Sequence, residues 1–116
     1  MFRILIIGGD NTDDYLYFQN RCAFYLQNKA KQREHIVVLS TGDEFVKKFT
    51  EKYHIDCEVF NCDWNTYGKN ALKVRNDKIL TNIDAVLYFK DNNTSNQILY
   101  DTAKGKGINC RTVECG

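Results

Sequence analysis

Residues 2–14 read FRILIIGGDNTDD, and the reading of this stretch decides the fold. Phe2–Ile7 is a short apolar run that stops at Gly8 and Gly9, the pattern of a buried strand entering a glycine turn. Asp10, Asp13 and Asp14 then supply helix caps and first-turn acids, and residues 15–28 carry Leu16, Phe18, Cys22, Phe24, Tyr25 and Leu26 at helical spacing. Strand, glycine turn and helix make one βα unit.

The unit recurs along the chain. Residues 36–39 predict a strand, Ser40-Thr41-Gly42-Asp43 a turn, and residues 44–53 a helix with Phe45, Val46 and Phe49 inward. Residues 55–60 alternate Ile55, Cys57 and Val59 against Asp56 and Glu58, a strand exposed on one face. Further on, residues 69–80 predict a helix, 84–89 a strand, 94–104 a helix and 108–113 the last strand. This alternation, without repeat or linker, predicts a single α/β domain over residues 1–116, a three-layer sandwich with a mainly parallel five-stranded sheet and helices on both faces.

Composition narrows the function classes. A chain of 116 residues buries one core, and a formal net charge of +1 argues against the basic surface of a nucleic-acid binder. The start of the chain has no signal-peptide pattern and no apolar run approaches a membrane span, so a cytoplasmic protein with no membrane partner is expected. Its five cysteines (Cys22, Cys57, Cys62, Cys110 and Cys115) are then reduced thiols. The 57/62 and 110/115 spacings are not those of a zinc knuckle, and His35 and His54 do not form an i, i+4 pair, so neither a metal nor a cofactor is expected. Absence of proline with abundant Asn, Lys, Ile and Tyr fits a bacterial or phage source by association alone.

In a parallel sheet, ligands bind outside the carboxyl ends of the strands. That places residues 8–14, 40–43, 61–68 and 90–96 at the candidate site, all rich in Asn, Asp, Ser, Thr and Gly, which are also the ordinary turn formers. Gly8 and Gly9 would let backbone approach a phosphate at a helix N-terminus, while Asp10 and Asp14 beside them suit a ribose hydroxyl or a plain cap. Ser40, Thr41, Gly42 and Asp43 offer hydroxyl and backbone donors to a phosphate or sugar, or cap the following helix. Asn93, Ser95 and Asn96 carry the same two readings at the last helix. Trp64 and Tyr67 stack on a base or wedge the loop against the sheet; packing favours the wedge. Arg75 lies with Ala71, Leu72 and Ile79 on the protein-facing stripe of its helix, so it requires an anionic partner, either a ligand phosphate or a carboxylate such as Asp63. Lys69 adds positive potential nearby. No Ser/His/Asp or Cys/His constellation is visible.

The segment Asp63-Trp64, Tyr67-Gly68-Lys69, Ala71 and Arg75-Asn76 resembles the most recognisable stretch of the YspA-like branch of the SLOG superfamily, Rossmann-like domains that bind nucleotides or nucleotide-derived ligands. The resemblance extends in order along nearly the whole chain: Gly8-Gly9-Asp10 with Asp13-Asp14, then Ser40 to Asp43, then Ser95-Asn96 with Leu99 and Ala103. Asp10 stands where that family carries an Arg, the second turn has lost glycines, and the motif P-G-G-x-G-T-x-x-E of the related LONELY GUY phosphoribohydrolases has no counterpart. The resemblance therefore implies a binder that senses or sequesters a nucleotide-derived molecule, with Arg75 and the Ser40–Asp43 turn on phosphate, Trp64 or Tyr67 on the base and Asp10 or Asp14 on ribose. Two alternatives stand beside it. One is a hydrolase of an N-glycosidic or phosphoribosyl bond using Asp14, Asp43 or Asp63 as acid/base; the other is an interaction module whose pocket is filled by its own side chains. The first helix carries more aromatics than one stripe can bury, which points to a homodimer or higher homo-oligomer.

Overall fold

The computed structural model describes residues 1–114; Cys115, one member of the 110/115 pair, lies outside the described residues. Five strands, β1 (Phe2–Ile7), β2 (Ile36–Ser40), β3 (Asp56–Val59), β4 (Ala85–Lys90) and β5 (Asn109–Glu114), form one sheet in the order β3-β2-β1-β4-β5. Every pairing is parallel. The helices are α1 (Tyr15–Lys31), α2 (Glu44–Lys52), α3 (Trp64–Tyr67), α4 (Ala71–Ile79) and α5 (Thr94–Gly105).

Strand periodicity sorts the core into two clusters. Ile4, Ile6, Val38, Leu87 and Phe89 pack with Phe18, Cys22 and Leu26 of α1 and Val46 and Phe49 of α2. Their neighbours in the strands, Leu5, Ile7, Val37, Leu39, Val86 and Tyr88, pack instead with Ile79 of α4 and Leu99 and Ala103 of α5. Successive strand side chains point to opposite faces, so the helices cover both sides of the sheet, as the α/β reading expected. β1, β2 and β4 are almost wholly buried because they are flanked by strands and covered by helices.

The main departures lie at the edge and around the tryptophan. Residues 55–60 were expected to hide one face, but all four residues of β3 are exposed, since it is a short edge strand beyond the reach of the covering helices. Where the sequence suggested one helix over residues 69–80, the chain makes the single turn α3, a 3-10 turn over Gly68–Asn70, and only then α4. Gly68, at φ 51°, separates the two turns with a backbone conformation that L side chains rarely adopt.

Candidate functional site

β1 leads into α1 on one face and β4 leads into α5 on the other, so the connections diverge between these neighbouring strands. Such a divergence is where open α/β sheets form their crevice. Here the loops converge through the protein's own hydrogen bonds. The backbone N–H of Gly9 donates to Asp43 Oδ2 (3.1 Å), tying the first turn to the second. Asp10 reaches the other way: its Oδ2 accepts from Glu44 N (2.9 Å) and its Oδ1 from Phe45 N (2.8 Å), at the N-terminus of α2. Those N–H groups and the helix dipole are what would hold a phosphate. A carboxylate of the chain already occupies that seat.

The remaining helix starts are capped in the same manner, more locally. Asp14 accepts from Tyr17 N (3.2 Å), Asp63 from Thr66 N (3.1 Å) and Asn93 from Asn96 N (3.0 Å). Ser40 is buried, and its Oγ accepts from Gly42 N (3.0 Å). Gly9 also has a packing reason to be glycine, because a Cβ there would lie 2.7 Å from Phe18 Cε2 and 3.3 Å from Val46 Cγ2. Gly8, at φ 75°, supplies the left-handed turn that ends β1.

The electrostatics follow from this convergence. Burial pushes the Asp43 carboxyl above the usual carboxylate range; Asp10 and Asp91 add repulsion, and the N–H groups of Gly9 and Gly8 offset part of it. Asp63, at the surface, is held below that range by its hydrogen bonds with Thr66. Asp91 was not singled out from sequence, yet it organises the fourth loop: Tyr88 Oη donates to Asp91 Oδ1 (2.9 Å) and Asn96 Nδ2 to Asp91 Oδ2 (3.3 Å). Burial and this bond push the Tyr88 phenol up to about 12. The available signal was the tyrosine itself, since a buried phenol at a strand end needs a partner. Ser95 is exposed in the first turn of α5. Among the described residues, no three His, Cys, Asp or Glu side chains are grouped to hold a metal ion.

The tryptophan segment sits apart from these loops. Trp64 is 60% exposed, so the wedge reading fails: the ring is not held against the sheet. Tyr67 is half-exposed, with Lys78 Nζ 5.5 Å from its ring centre, and Lys69 is exposed. Arg75 is only 8% exposed, and Nε donates to Asn76 Oδ1 (2.8 Å) of an equally buried side chain. Among the described residues, Arg75 has no ion pair, and its terminal nitrogens accept no partner; Asp63 is not its counter-charge.

Two sizeable concavities lie on the α1/α2 side. One, of about 700 Å³, is a groove along α2 and β3 lined by Ser40, Gly42 and Asp43 together with Lys47, Thr50 and Cys57. The other, of about 640 Å³, lies between the C-terminal halves of α1 and α2 at the amino ends of β2 and β3. Trp64, Tyr67 and Arg75 line neither, so these three do not share a cavity with the Ser40–Asp43 turn. Among the described residues, no helix is long and apolar enough to cross a membrane. Set against protein-family profiles, curated proteins and solved structures, the chain matches none.

Proposed function

We propose that the protein binds a nucleotide-derived small molecule in the groove between α2 and β3. The observation that carries this reading is the groove itself, whose volume of about 700 Å³ is that of a ligand site and whose lining includes Ser40, Gly42 and Asp43. The ammonium of Lys47, which has no ion pair among the described residues, is suited to a phosphate. Asp43 and Glu51 are acceptors for ribose hydroxyls or ring N–H groups. Asp10 already fills the anion seat at the start of α2, so phosphate recognition in this reading rests on the lysine and not on the helix N-terminus. Thermal shift and calorimetry with a panel of nucleosides, nucleotides and ADP-ribose test it. Binding weakened about tenfold by Lys47→Ala is expected, and no binding by any member of the panel removes the idea.

A second reading, a module that contacts another protein or a second copy of itself, is favoured by the exposure of Trp64 (60%) and of Leu16 and Phe24 on α1 (64% and 56%). Light scattering separates it: a monomer at all concentrations excludes self-association through these side chains.

A further inference from the structure

We propose that the cavity at the opposite end of the sheet, between α1, α2 and the amino ends of β2 and β3, binds a small aromatic molecule bearing a basic nitrogen. Its volume of about 640 Å³ lies within the range of small-molecule sites, roughly 300–1,000 Å³. Leu26, Ile36, Phe49 and Ile55 give it an apolar lining. Phe49 and Tyr53, with ring centres 5.0 Å apart, form an aromatic wall against which a planar ring packs.

The polar groups select the charge of the ligand. Two carboxylates line the cavity, Glu34 and Asp56. Glu34 is already engaged, by the Met1 amino group (3.6 Å) and Lys29 Nζ (3.4 Å). Asp56 uses only one oxygen: Oδ2 lies 2.6 Å from His35 Nε2, while Oδ1 has no partner among the described residues. An ammonium or protonated ring nitrogen would complete Asp56, whereas a ligand carboxylate would face it without a free cation. Aromatic packing and one unsatisfied carboxylate oxygen together define an aromatic amine. This cavity adjoins the α2/β3 groove along His54, Ile55 and Asp56, but only the cavity touches α1.

Amide shifts of the full chain titrated with tryptamine, and with indole-3-acetate as the matched acid, test the assignment. Saturable shifts at Ala30, Ile36 and Tyr53 are expected with tryptamine, with binding of the acid at least about threefold weaker. Asp56→Asn should weaken tryptamine binding by a similar factor. Ala30→Trp, placed on an exposed position of the α1 wall, should fill the space and abolish the shifts; Ala23→Trp serves on the same wall if that variant does not fold. Absence of saturable shifts, shifts confined to groove residues such as Lys47 and Gly42, or equal binding of amine and acid overturns the proposal. None of these outcomes depends on whether a nucleotide enters the neighbouring groove.

Discussion

Asp10→Ala separates a carboxylate that merely decorates a loop from one that sits in an anion site. In the structure, Asp10 reaches across the sheet from the first turn and holds the N–H groups of Glu44 and Phe45 at 2.9 and 2.8 Å. Losing an N-cap costs about 0.5–2 kcal/mol, and one carboxylate here holds two donors, so a loss of about 2 kcal/mol is expected. For a domain of this size that lowers Tm by about 8 °C, readable by circular dichroism with urea unfolding alongside. Asp13→Ala, at an exposed neighbour, should leave stability unchanged. The vacated N–H groups and dipole should then accept inorganic phosphate. With a Kd of about 10 mM, phosphate at about 100 mM would restore about 1.4 kcal/mol to the variant and nothing comparable to the wild type. A loss below about 0.5 kcal/mol would show that Asp10 does not hold α2. A full loss without phosphate recovery would refute the claim that its carboxylate stands where an anion would bind.

The other outcomes are simpler. Asp43 has a raised native pKa, so between the ordinary carboxylate value and the native one the folded chain binds more protons than the unfolded chain. Its contribution is therefore fully present below the ordinary value and lost as pH rises through the native one; Asp43→Asn should flatten that limb of the stability curve. Asp63 has the opposite sign, contributing above the ordinary value and losing it as pH falls through its lowered native pKa. Carboxyl ¹³C titration should accordingly place the Asp43 midpoint above that of Asp63, and the reverse order would contradict the geometry. Gly9→Ala should cost about 1–3 kcal/mol by driving a methyl into the Phe18 ring, and an unchanged urea midpoint would mean that the ring yields freely. Arg75→Met should leave stability unchanged or raise it, because it removes a buried charge without a counter-charge; a loss above about 2 kcal/mol would reveal a structural role through Asn76.

Local pattern carried much of the fold. The unbroken apolar runs of β1, β2 and β4 announced central strands, because only strands covered on both faces tolerate such sequences. Asp14, Asp63 and Asn93 were legible as caps since each serves a helix that begins at the next residue. Trp64 was misread as a wedge because composition says that a large aromatic tends to be buried, while its exposure depends on where α3 comes to rest relative to the sheet.

The sequence by itself determined the alternation of strands and helices, the face each helix turns inward and the polar ends of the strands, all of which repeat within a few residues and follow from side-chain periodicity. Tertiary structure decided what those ends do. Asp10 and Asp43 each bond backbone across 34 residues or more. Gly9 answers to Phe18 and Val46, and both concavities arise where α2 meets the edge of the sheet. These relations depend on the strand order β3-β2-β1-β4-β5, which brings distant turns together and which no local period encodes.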